Sequence, residues 1–178
     1  MPGPVTDLAS LRTRLMPNAR VVLTNGVFDL LHVGHLRYLR QARELGDILV
    51  VGINADSAVH KRGRPLVPDV ERAELVAALD PVDYVVIFAE DTADDLLRAV
   101  RPAVYAKGAD YSEATLPEAA TAREVGAQLE FIPLVADHST TQLTRALRGG
   151  SPRRGRRPPF DPRSFRSSSA DDALVEPL

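Results

Sequence analysis

Two histidines flanking a glycine, at the start of an apolar pattern of helical period, have the types and spacing to act on an anion. They close the stretch Thr24-Asn25-Gly26-Val27-Phe28-Asp29-Leu30-Leu31-His32-Val33-Gly34-His35, and half of the four histidines sit there. A helix amino end carries amide donors without intrahelical partners and a partial positive charge, so phosphate oxygens are attracted to it. Gly34 lets a phosphate come close to the backbone, and imidazoles at 32 and 35, three apart on a turn, can face the same anion. The arrangement suits a triphosphate. Taken alone, such a pair is more often a partly buried structural feature than a catalytic one; its place at the first strand-to-helix turn changes that weighting. A metal site is the weaker alternative, because His-x-x-His needs further ligands and no nearby carboxylate is an obvious third. With no cysteine in the chain, thiolate nucleophiles, thiolate metal sites and disulfides are excluded. No Ser-His-Asp arrangement is recognisable either.

These residues need a scaffold, and the hydrophobic pattern supplies one. Residues 20–24 (RVVLT) read as a strand, Asn25-Gly26 as a tight loop, and Leu36, Leu39, Ala42 and Leu45 as one face of a helix. DILVVGI (47–53) is continuously apolar and β-branched, as a strand buried on both faces should be. A polar loop follows, and Pro68-Asp69 opens a helix through Leu75, Val76 and Leu79 with acidic residues in its first turn. The alternation continues with strands at 83–88, 103–108 and 128–134, helices at 92–100 and near 115–126, and a last short helix from about Ser139. Strands alternating with helices predict an α/β fold: a Rossmann-like, doubly wound, five-stranded parallel sheet with helices on both faces. Ligands of such folds bind at the carboxyl ends of the strands.

The 178 residues suffice for one ordinary domain. Residues 1–148 are expected to form it, and 149–178, rich in Arg, Pro and Ser with no apolar period, to be a disordered tail. A net charge of -2 argues against coating nucleic acid or an anionic membrane. The chain has no run of eighteen apolar residues, and MPGPVTDLASLRTRL lacks the order of a secretory signal, so a cytoplasmic protein is expected. The only two lysines among 22 basic residues, Lys61 and Lys107, both fall in loops after expected strands.

Gly26-Val27-Phe28-Asp29-Leu30-Leu31-His32-Val33-Gly34-His35 resembles the G-x-F-D-x-x-H-x-G-H signature of the cytidylyltransferase-like branch of HxGH nucleotidyltransferases, and His138-Ser139-Thr140-Thr141 is similar to the end of its second signature. The resemblance covers about residues 20–148. Asn54-Ala55-Asp56, Arg64-Pro65 through Arg72, 82–86, Glu90-Asp91-Thr92 and Lys107-Gly108-Ala109-Asp110-Tyr111 look most like the heptose 1-phosphate adenylyltransferases. In that group a heptose kinase is commonly fused ahead of this domain; here a kinase is expected on a separate chain.

The resemblance implies direct in-line attack by a sugar phosphate on the α-phosphorus of a nucleoside triphosphate, ATP first among candidates. His32, His35 and Lys61 would be catalytic. Asn25, Gly26, Phe28, Gly34, Lys107, Gly108, Asp110, Ser139, Thr140 and Thr141 would hold the nucleotide. Asp29, Asn54, Arg64 and Arg72 would hold the acceptor, with Asp29 alternatively orienting a neighbouring loop or simply forming a turn. Arg72 and Lys61 are candidates for the acceptor phosphate or the α-phosphate, with solvated charges as the plain alternative. The loop 59–65 is shorter than the matching lysine-bearing loop, and Lys61 is its candidate replacement. Mg²⁺ is implied as the triphosphate's counter-ion, held by phosphates and water without a dedicated protein site. A homodimer is expected. Two rivals remain: a glycerol-3-phosphate cytidylyltransferase, and a non-catalytic nucleotide-binding module.

Overall fold

The structure, a computed structural model, describes residues 3–60 and 63–133. Lys61, the expected helix near Ser139 with Thr140 and Thr141, and the tail from 149 lie outside the described residues. The strands are β1 (Val21–Gly26), β2 (Ile48–Asn54), β3 (Tyr84–Phe88), β4 (Val104–Gly108) and β5 (Gln128–Ile132). The helices are α1 (Leu8–Arg14), α2 (Val33–Arg43), α3 (Asp69–Ala77), α4 (Asp94–Val100) and α5 (Ala119–Glu124). All strand pairs are parallel, in the order β3-β2-β1-β4-β5. Chain order therefore runs outward from β1 to one edge and resumes at β4 on its other side, which leaves a crevice above the carboxyl ends of β1 and β4.

Successive strand residues feed opposite faces. Val21 and Leu23 of β1 and Ile48 and Val50 of β2 join a core with Leu11, Leu96, Leu97 and Ala122. Val22, Leu49, Val51 and Ile53 join a second core with Leu39, Ala42, Ala73 and Val76. Thus α1, α4 and α5 cover one face and α2 and α3 the other, as the doubly wound reading requires.

Asn25 and Gly26 are not the expected loop. They extend β1, paired with Gly52 and Ile53 of β2, and carry the strand to the rim of the crevice. Helix α1 was not expected: Asp7 caps it by accepting from the Ser10 amide at 2.8 Å, and its Leu11 is fully buried. Gly52 has a packing reason. A Cβ there would stand 2.6 Å from Leu96 Cδ2, 3.1 Å from Asn25 Cβ and 3.2 Å from Phe88 Cε1.

Candidate active site

The turn from β1 into α2 builds the site. Phe28 takes a left-handed conformation, φ 49°, which costs a non-glycine residue about 1–3 kcal/mol unless packing holds it there. Packing does: its ring is buried and meets the His35 ring at a centroid distance of 5.4 Å. Gly26 makes room for it, since a Cβ at 26 would lie 3.1 Å from the ring.

His32 is the N-cap of α2. Its Nδ1 accepts from the Gly34 amide at 3.1 Å, while the His32 amide donates to His35 Nδ1 at 3.3 Å. The two side chains thus cap the helix reciprocally, and their rings stack at 3.9 Å with 26° between planes. The chemical consequence concerns tautomers. A ring nitrogen that accepts a hydrogen bond carries no proton, so in the neutral ring the hydrogen-bond network assigns the proton to Nε2. Capping therefore turns both imidazoles into Nε2–H donors beside the amide end of α2. From farther along α2, Tyr38 fixes the helix against the sheet: its hydroxyl lies 2.7 Å from Thr24 Oγ1 and donates to Ala106 O at 3.0 Å.

Burial, and secondarily the neighbouring His32, lowers the His35 pKa to about 4. The ring is neutral at physiological pH. Because the folded value lies below the unfolded one near 6.5, this group's contribution to stability is complete above about pH 6.5 and is lost as pH falls toward 4. A bound triphosphate adds negative charge and raises the value. An NMR titration of the His35 ring should give a midpoint near 4 that moves up with ATP; a midpoint near 6.5 without nucleotide would contradict this geometry.

A cavity of about 500 Å³ opens in front of these groups. Asn25, Gly26, Phe28, His32, Gly34 and His35 line its α2 side; Lys107, Gly108 and Asp110 come from the end of β4 and the loop after it. Asn54 at the end of β2 also reaches it. Asn25 Oδ1 accepts from Tyr105 Oη at 2.6 Å and Lys107 Nζ at 3.0 Å, which assigns its amide nitrogen as the donor it offers. Lys107 is 8% exposed; burial lowers its pKa, with Glu118 and Asp110 opposing that shift. The sequence reading missed Tyr38, Asp91, Thr92, Tyr111 and Glu118, which share the lining. Asp91, Thr92 and Tyr111 stand in segments that carry the resemblance, after β3 and after the Lys107-Gly108 pair, but were given no site role; Tyr38 and Glu118 gave no signal.

Three expected acceptor contacts are placed elsewhere. Arg72 is completely buried and saturated by the protein: Nε donates to Val67 O at 2.8 Å, one terminal nitrogen to Val27 O, and the other to Asn54 O at 2.9 Å and Asp56 Oδ1 at 2.6 Å. It ties the β1–α2 turn, the end of β2 and the entry to α3, and has no surface to offer a substrate. Asp29 and Arg64 pair with one another, and Asp29 Oδ1 also accepts from the amides of Leu66 and Val67 at 2.7 and 3.0 Å. Burial raises the Asp29 pKa, but Arg64 and the two amides outweigh it and hold the carboxyl below its usual range. Of the alternatives for Asp29, loop orientation is the one found. None of the three lines the cavity.

Among the described residues no group of three or more His, Asp or Glu is placed to hold a metal ion, and no helix is long and apolar enough to cross a membrane.

The model of the cytidylyltransferase-like family matches residues 23–154. Bifunctional protein HldE of Pelobacter propionicus is 47% identical over 131 residues, covering 70% of this chain and 26% of that protein. That of Geotalea uraniireducens is 48% identical over 139 residues, covering 74% and 28%. The chain thus spans about a quarter of the length of these curated relatives. A lipopolysaccharide core biosynthesis protein from Thermoplasma volcanium superposes with a TM-score of 0.57 at 29% identity, over 66% of this chain and 98% of that one. Pantothenate synthetase from Thermus thermophilus shares the fold, with a TM-score of 0.54 at 17% identity over 75% of this chain and 61% of that one.

Proposed function

This chain belongs to the cytidylyltransferase-like family of nucleotidyltransferases, and from that premise we propose that it joins the nucleoside monophosphate of ATP to heptose 1-phosphate with release of pyrophosphate. The observation that carries the reading is the pair of Nε2–H donors set by reciprocal capping beside the amino end of α2, facing a cavity large enough for a nucleotide. Likeness to the HldE proteins supports the choice of sugar phosphate.

An acceptor phosphate oxygen attacks the α-phosphorus, the new P–O bond forms as the bond to the β-phosphate bridge breaks, and pyrophosphate leaves with that electron pair. No covalent enzyme intermediate is needed, so catalysis consists of positioning and charge stabilisation. The Nε2–H groups of His32 and His35 and the first amides of α2 hold the phosphates that gain charge. Asn25, fixed by Tyr105 and Lys107, and the chain at Gly108 and Asp110 hold the nucleoside, while Asn54 faces the acceptor. We assign the nucleotide phosphates also to Ser139, Thr140 and Thr141, and a catalytic charge to Lys61. Mg²⁺ brought by the triphosphate would be held by phosphate oxygens and water and would neutralise phosphate charge.

The deciding assay is pyrophosphate release from ATP, CTP and GTP, each with heptose 1-phosphate or glycerol 3-phosphate. Turnover is expected with ATP and heptose 1-phosphate. Release with CTP and glycerol 3-phosphate alone would replace the substrate assignment with the cytidylyltransferase alternative; nucleotide binding without release in any pairing would leave a non-catalytic module.

A further inference from the structure

The cavity lining contributed by α5 carries a group that the proposed chemistry does not use. Glu118, at the start of α5, is 5% exposed and lines the cavity together with Asp91 and Thr92 of the segment after β3. Its Oε1 accepts from the Ala93 amide at 3.2 Å, whereas its Oε2 is buried without a hydrogen-bond partner, the only such side-chain atom among the described residues. A buried acceptor left unpaired is costly, and a ligand donor that reaches it recovers that cost. The terminal torsion of a glutamate is broad, so the carboxylate can turn toward the cavity that Glu118 lines.

Which ligand donates follows from charge and from the geometry of displacement. Glu118 is an anionic acceptor and shares the lining with Asp91, so Oε2 itself is matched by a neutral donor such as a hydroxyl rather than by a phosphate oxygen. In-line displacement places the entering and leaving oxygens on opposite sides of the α-phosphorus. With pyrophosphate held at the amino end of α2, the acceptor enters from the part of the cavity lined by other elements, among them Glu118 at the start of α5. We infer that Glu118 is a specificity-determining residue that accepts a hydrogen bond from a sugar hydroxyl of the acceptor. This inference deepens the proposed function and rests on it. It selects polyhydroxylated acceptors, because an acceptor without a hydroxyl at that point leaves Oε2 buried and unsatisfied.

The test compares the wild-type protein with Glu118→Gln and Glu118→Ala, using ATP and heptose 1-phosphate and reading KM for each substrate, kcat and thermal midpoint. Both variants should raise KM for heptose 1-phosphate about tenfold or more and leave KM for ATP within about twofold. Monodeoxy heptose 1-phosphates sharpen the result. One deoxy position should weaken the wild type but cost Glu118→Ala nothing further. A rise in KM for ATP instead would assign Glu118 to the nucleoside and overturn the inference. A lowered thermal midpoint with both KM values unchanged would reduce Glu118 to support of the Ala93 amide, which also overturns it. A wild-type protein that releases no pyrophosphate with any sugar phosphate fails the proposed reaction itself, and the inference falls with it. An active wild type with indifferent Glu118 variants sinks this inference alone.

Discussion

Replacing His32 with Asn should lower kcat by about a hundredfold or more while leaving the fold intact. Asparagine is among the best N-cap residues, so its side-chain oxygen can take over from His32 Nδ1 as acceptor of the Gly34 amide. It lacks the imidazole Nε2–H directed by that cap. His32→Ala loses both functions: turnover falls as far, and the missing cap costs a further ~1 kcal/mol of stability. Steady-state kinetics on the two variants, with ATP binding and thermal midpoint measured alongside, separate capping from catalysis. If His32→Asn retained wild-type turnover, the histidine pair would be a helix cap and nothing more.

Arg72→Met should destabilise the domain by about 3–5 kcal/mol, lowering the thermal midpoint by roughly 6–20 °C. The guanidinium is completely buried and bonds Val27 O, Asn54 O, Val67 O and Asp56, so its removal leaves three carbonyl groups without that donor. The loss is large against a typical total of about 5–15 kcal/mol. Arg72→Lys is not expected to rescue, since one ammonium cannot span acceptors arranged around a planar fork. Thermal or urea unfolding measures the effect. An unchanged midpoint with a raised KM for the sugar phosphate would return Arg72 to the acceptor site.

Periodicity located the five strands to within about two residues, because β2 and its neighbours are buried on both faces and read as uninterrupted apolar runs. The position of the histidine pair was legible as well, at the strand-to-helix turn that opens α2, whereas its reciprocal capping was not. The fates of Arg72 and Asp29 were not legible. A charged residue on a helix or turn looks alike in sequence whether it meets solvent, substrate or backbone carbonyls, and only the approach of the β1–α2 turn, β2 and α3 brought those acceptors together. Asn25-Gly26 misled in the same way. The pair has strong turn chemistry, yet its ladder with Gly52 and Ile53 holds it extended. Helix α1 escaped notice because its apolar stripe is only Leu8, Leu11 and Leu15, too brief to stand out from a terminus.

The bare backbone at Gly52 couples two properties that are usually tuned separately. An added methyl there would press on Leu96 from α4 and on the Cβ of Asn25 at once, so a lesion beneath the sheet would tilt an amide assigned to read the nucleotide. Attempts to retarget the enzyme to another base should therefore work around this position. Libraries that vary Asn25 or Leu96 while keeping residue 52 unsubstituted have slack to explore, whereas those that fill it would confound altered selectivity with a warped floor.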